Sequence, residues 1–130
     1  MKAKGYISSR PLNNGMTYDQ SIQNLVIRNF CERNNYFFLL SSTEYIMKNC
    51  YKMLNQVIHD YNDYDCVVFF SYQQLPKLLE FKKDFSNLLK KKKFVCFAYE
   101  NIKIKSISDF NDLSDEVNIT NTLKYSPIKI

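Results

Sequence analysis

Glycine is the first shortage in this chain of 130 residues, which has only Gly5 and Gly15, no tryptophan, three prolines and a single histidine, His59. Phosphate-cradling loops of the mononucleotide or dinucleotide type need several glycines close together, so neither can be written here. One histidine also leaves a nucleophilic serine without an obvious base. His59 follows Ile58 late in a helical pattern, far along the chain from any strand end, so a Ser-His hydrolase is disfavoured. The four cysteines, Cys31, Cys50, Cys66 and Cys96, form no Cys-x-x-Cys pair, and each falls inside an apolar segment. They read as buried free thiols rather than disulfides or zinc ligands, and no metal or cofactor is expected. Residues 1–10 lack the apolar stretch of a signal peptide, and no run approaches the roughly 20 apolar residues of a membrane span, which points to a cytoplasmic protein.

What is present suffices for one core. Hydrophobic residues make up 45% of the chain, with ten Phe and ten Tyr, which excludes a disordered or collagen-like polypeptide. The formal net charge of +5 is unevenly placed: residues 1–76 hold seven bases and six acids, residues 77–105 nine Lys and three acids, and residues 106–130 two Lys and four acids. The excess is one cluster, built on Lys82, Lys83 and the run Lys90 to Lys93. Lysine binds phosphate as a point charge, so the cluster suits either a solvated helix end or an anionic partner.

Strands and helices alternate from end to end. Gly5–Ser9 reads as a first strand, and Thr17 or Asp19 can cap a helix in which Ile22, Leu25, Val26 and Phe30 recur at helical spacing up to Asn34-Asn35. Tyr36–Leu40, Cys66–Phe70 and Phe94–Ala98 are apolar throughout, the form of strands covered on both faces. Between them lie a helical stripe from Ile46 to Tyr61 and a second helix beginning near Pro76. Ile102-Lys103-Ile104-Lys105 alternates like a short, lysine-protected edge strand, and Phe110, Leu113 and Val117 mark a last helix. The pattern predicts an α/β three-layer sandwich with a mainly parallel sheet of four to five strands, flavodoxin-like or resolvase-like, over residues 1–117, with 118–130 as a tail.

Ligands in such folds bind beyond the carboxyl ends of the strands, which gathers Ser8, Ser9, Arg10, Ser41, Thr43, Glu44, Ser71, Gln73, Gln74, Tyr99 and Glu100 into a candidate pocket. Arg10 has the geometry to hold a carboxylate or phosphate, and Glu44 or Glu100 could handle a proton or hydroxyl. Ser9 completes the catalytic candidates Glu44, Arg10 and Ser9. Each has a plainer role open to it: Arg10 as a solvated loop residue, Glu44 as a helix first-turn acid, the tyrosines as packing.

Two families share motifs with the chain. Tyr6-Ile7-Ser8-Ser9-Arg10, Asp19-Gln20-Ser21-Ile22 and Phe97-Ala98-Tyr99-Glu100-Asn101-Ile102 resemble the first strand, first helix and fourth strand of the serine recombinase catalytic domain. Where that family carries Asp-Arg-Leu-x-Arg, this chain has Tyr72-Gln73-Gln74-Leu75-Pro76, so the resemblance implies the fold without recombination. A further set, Gly5-Tyr6-Ile7-Ser8-Ser9-Arg10-Pro11, Gln23-Asn24-Leu25-Val26-Ile27-Arg28, Ser42-Thr43-Glu44-Tyr45, Asn49-Cys50-Tyr51, Met53-Leu54 and Val68-Phe69-Phe70-Ser71 through Gln74-Leu75-Pro76, is similar to the sporadic carbohydrate cluster proteins of bacteria. That resemblance spans about residues 5–105 and implies a setting in surface-polysaccharide or modified-sugar biosynthesis. It points to Arg10, Gln23, Asn24, Arg28, Thr43, Glu44, Asn49, Ser71 and Gln74; apart from the catalytic candidates Arg10 and Glu44, these form with Ser8 and Glu100 the expected substrate-binding set. The leading expectation is a protein, with enzyme activity open, that binds or transforms a sugar phosphate or nucleotide sugar. Its rivals are a nucleic-acid-binding recombinase-like domain using the lysines and a non-catalytic, homodimeric scaffold.

Overall fold

The apolar runs become the interior of a five-stranded sheet in the computed structural model, which describes residues 1–9, 11–13, 15–44, 52–75 and 78–125, with backbone alone for 44, 52–53, 78–79 and 118–125. The strands are β1 (Lys2–Ser8), β2 (Phe37–Glu44), β3 (Cys66–Phe69), β4 (Phe94–Phe97) and β5 (Ile102–Ile104). Their order is β2-β1-β3-β4-β5, with parallel pairing throughout except for the antiparallel β4–β5 edge. The helices are α1 (Gln20–Arg33), α2 (Lys52–His59), α3 (Lys82–Lys90) and α4 (Ile107–Tyr125). The α4 helix therefore runs on past residue 117. No helix among the described residues is long and apolar enough to cross a membrane.

Strand alternation divides the interior into two cores. Tyr6, Val67, Phe69, Val95, Phe97 and Ile104 face α2, α3 and α4, where they meet Leu54, Val57, Phe85, Leu88, Phe110 and Leu113. Phe69 stacks on Phe97 at 5.6 Å and Phe85 meets Phe110 edge-on at 5.5 Å, arrangements worth about 0.5–1.5 kcal/mol each beyond the area they bury. On the opposite face, Ala3, Ile7, Cys66, Val68, Phe94 and Cys96 lie under α1, through Ile27, Phe30 and Cys31. Cys31, Cys66 and Cys96 are free, buried thiols, as their apolar surroundings predict, and Cys50 lies outside the described residues. Burial pushes the Cys31 thiol up to about 11, and a hydrogen bond with Cys66, followed by burial, raises that of Cys96.

The first helix corrects the sequence reading. Ile22 and Leu25 are exposed, while Gln23, Ile27, Phe30 and Cys31 form the buried stripe. The helix is rolled by about one residue from the orientation that apolar spacing alone suggests, because a polar side chain, Gln23, is needed inside. Pro76 and residues 45–51, where helices are also expected to begin, lie outside the described residues.

Gly5 is required by the neighbouring strand. Three residues of β1, Lys4 to Tyr6, lie opposite four of β2, Leu39 to Ser42, so β2 carries an extra residue in the manner of a bulge. The extra residue brings Ser41 over Gly5, where its Oγ donates to Asn24 Oδ1 of α1 at 2.8 Å. A Cβ on Gly5 would collide with Ser41 Oγ and lie 3.1 Å from Ser41 Cβ and 3.2 Å from Phe38 Cε1. Gly5→Ala should therefore cost about 1–3 kcal/mol of unfolding free energy in urea. The lower end applies if Ser41 rotates away and gives up Asn24, and an unchanged midpoint would show that β2 does not hold Ser41 there.

Candidate functional site

The order β2-β1-β3 places the switch point of the sheet between β1 and β3, where consecutive crossovers leave in opposite directions. Past the last β1–β3 pair, Tyr6 with Phe69, the backbones part, and polar groups of both strand ends must find other partners. Two glutamine side chains supply them. Gln23 accepts from the Ser8 N–H at 3.0 Å and donates through Nε2 to the Ser8 carbonyl at 2.6 Å and the Tyr18 carbonyl at 2.9 Å. Gln74 accepts from the Phe70 N–H at 3.0 Å and the Ser71 N–H at 3.4 Å, and its Nε2 donates to Gln23 Oε1 at 3.0 Å. The amides thus bridge β1 to β3 as an absent stretch of strand would.

Glu100, just beyond β4, continues the bridge. Its carboxylate accepts from Ser71 Oγ at 2.5 Å and from the Tyr72 N–H at 3.3 Å, while Ser71 Oγ accepts from the Gln73 N–H at 3.0 Å. Burial raises the Glu100 pKa above its usual 4.5, and the hydrogen bonds from Ser71 and Tyr72 oppose part of that rise. Asn13 ties the loop after β1 to the same place, donating from its side chain to the Leu75 carbonyl and from its N–H to the Gln73 carbonyl. No buried side-chain polar atom among the described residues lacks a partner.

Of the expected site residues, Ser8, Gln23, Ser71, Gln74 and Glu100 are therefore joined in one network. Ser8 is 2% exposed, so its side chain is not presented to solvent, whereas Ser9 is half-buried. Thr43 and Glu44 come alongside Ile7 and Ser8 in register, and only the backbone of Glu44 is described. Arg10 and Asn49 lie outside the described residues. Asn24 is engaged with Ser41, and Arg28 sits with Cζ 5.4 Å above the Phe38 ring, so neither is brought to the switch point. His59 ends α2, at the pole where the strands begin, away from both serines. No cluster of three His, Cys, Asp or Glu that could hold a metal ion occurs among the described residues.

Sequence reading passed over Tyr18. Its ring meets Phe70 at 5.1 Å and Tyr99 at 6.3 Å, and Tyr99 is 60% exposed. The Tyr99 hydroxyl beside it raises the Tyr18 pKa. The two rings, tilted by 47°, make an aromatic shelf next to Glu100. Its one sequence signal is Tyr18 directly before the helix cap, which is too common a placement to single out.

No family model matches the chain, and no curated protein matches it in sequence. Among solved structures, the N-terminal catalytic domain of TP901-1 integrase matches with a TM-score of 0.65, covering 96% of this chain and 100% of that domain at 17% identity. The fold is therefore resolvase-like, one of the two forms the sequence pattern predicts.

A raised Glu100 pKa means that the folded state binds this proton more tightly than the unfolded state does. Its contribution is favourable below pH 4.5 and is lost as pH rises through the folded value. Glu100→Gln keeps an acceptor for Tyr72 and removes the buried charge. Thermal melts from pH 4 to 8 should show the variant gaining on the wild type as pH rises, and parallel curves would exclude Glu100 as the source.

Proposed function

Starting from a resolvase-like fold, we propose that this domain binds nucleic acid and does not recombine it. The observation that carries the reading is the placement of nine of the eighteen basic residues within residues 77–105, on and around α3. Gln73 and Pro76 take the places in sequence that are arginines in the recombinase pattern, and Gln74 between them, at the other pole, is turned inward onto Phe70, Ser71 and Gln23. A phosphoryl transition state there would lack the positive charge that those two arginines supply. Lysines without a bidentate fork grip a phosphate backbone with little preference for sequence.

A specific observation favours a second reading. The Tyr18–Tyr99 pair, its rings tilted by 47° and Tyr99 exposed next to Glu100, offers an apolar ring face and a neighbouring carboxylate that suit a sugar ring. With the resemblance to sporadic carbohydrate cluster proteins, it supports an activated or phosphorylated sugar as ligand. Arg10 would then hold its anionic group, with Glu44 and Ser9 as the reactive candidates.

Fluorescence anisotropy with a labelled 30-base-pair duplex tests the first reading. For four phosphate contacts, affinity should fall about a hundredfold between 50 and 200 mM salt. Supercoiled plasmid should stay intact, with no denaturant-resistant protein–DNA adduct. Absence of binding refutes the reading, and an adduct refutes its non-catalytic half. For the second reading, a nucleotide sugar at a hundredfold excess over its Kd should add about 2.7 kcal/mol of stability, seen as a rise in Tm that Tyr99→Ala abolishes. No rise with any nucleotide sugar or sugar phosphate removes it.

A further inference from the structure

The lysines at the end of α3 have neighbours that the linear charge count does not reveal. In β5, Ile102 and Ile104 turn toward the α2–α4 core, so Lys103 and the following Lys105 turn to the α1 side. On that side α1 is the one helix among the described residues, and it packs on β1 and β2. The β4–β5 corner is floored by aromatic rings instead. Lys105 Nζ lies 5.0 Å from the Phe94 ring centroid and Lys103 Nζ 5.7 Å from that of Tyr36, and these two rings touch each other at 5.8 Å.

Phe94 opens β4 directly after Lys93. The run Lys90 to Lys93 and the pair Lys103 and Lys105 therefore meet around the start of one strand. Lys91 is held in the same way on the other side, its Nζ 5.8 Å from the Tyr61 ring centroid. Lys92 adopts φ of 62°, a left-handed position at a helix end where glycine is the relaxed choice, and the chain keeps a lysine there. Acids border the corner. Asp109, Asp112 and Glu116 share a groove with Lys103 on the α4 side of β5, where Asp109 also accepts from the Lys105 N–H at 3.0 Å, and Asp84 lies with His59, Lys90 and Lys91 in the groove between α2 and α3.

We infer that the β4–β5 corner, where Lys90 to Lys93 meet Lys103 and Lys105, is the seat for the phosphate backbone of a nucleic-acid duplex. This rests on the nucleic-acid reading above and locates it. The ammonium groups of Lys91, Lys103 and Lys105, which rest on rings, lose less freedom when a phosphate arrives, and the six lysines outnumber the four acids of the two flanking grooves, leaving the corner positive. The seat lies at the pole where the strands begin, so a bound duplex is kept away from Ser9 and the amide bridge. Lysines that start α3, Lys82 and Lys83, lie toward the other pole and take no part.

Anisotropy titrations of K103Q/K105Q across 50–200 mM salt test the location, with thermal melts confirming the fold. Removing two contacts should lower the slope of log affinity against log salt by about 1.8. K103R/K105R should restore the slope, and K82Q/K83Q should leave it as in the wild type. If the wild type binds but K103Q/K105Q keeps its slope, or only K82Q/K83Q loses it, the seat is overturned while nucleic-acid binding stands. If the wild type binds no duplex, both fall. Tighter binding to phosphatidylserine vesicles than to duplex would assign the surface to a membrane and overturn the proposal.

Discussion

The hydrogen bond between Gln74 Nε2 and Gln23 Oε1 holds the switch point closed. A parallel sheet whose order reverses at β1 and β3 must let those strands separate, and the exposed peptide groups there need partners. Either glutamine alone would satisfy one strand end. Together they make the separation a connected, buried structure that also fixes the 3₁₀ turn Tyr72–Gln74 and the α1 helix. Losing either glutamine strips several strand-end peptide groups of their partner at once, Ser8 and Tyr18 for Gln23, Phe70 and Ser71 for Gln74, which is costlier than the loss of a single bond.

That constraint decides what the strand ends can offer. In an open α/β sheet this crevice is where ligands enter, and here its floor is filled by the chain's own side chains. Among the described residues, Ser9, Gln73, Tyr18, Tyr99 and Glu100 at its outer rim reach solvent. The molecule therefore has a rim of hydroxyls, amide and aromatic rings at one pole and a lysine corner at the other. Neither repeats the Asp-Arg-Leu-x-Arg pattern of the recombinases.

Much of the fold was legible because buried parallel strands are written as unbroken apolar runs, and Cys66–Phe69 and Phe94–Phe97 leave no other reading. The edge strand was legible for the opposite reason, since Lys103 alternates with Ile102 and Ile104. The roll of α1 was not. Hydrophobic spacing favours Ile22 and Leu25, and nothing local shows that Gln23 is worth burying until β3 delivers Gln74 across 51 positions of sequence. Strand-end logic collected Ser8, Ser71, Gln74 and Glu100 correctly as neighbours, but proximity by topology did not reveal that they would bond to one another. The meeting of Lys103 and Lys105 with Lys93 was hidden too, because β5 returns antiparallel beside β4.

The three described thiols bear on where such a domain can persist. A thiol reacts as its thiolate, and burial beneath α1 both lifts the Cys31 pKa to about 11 and shuts reagents out. Oxidants, reductants and electrophiles thus reach this sulfur only in molecules whose sheet has opened. Swings in the surrounding redox poise therefore leave Cys31, Cys66 and Cys96 untouched in the folded state, and a modification found at one of these three marks a molecule that has unfolded at least once.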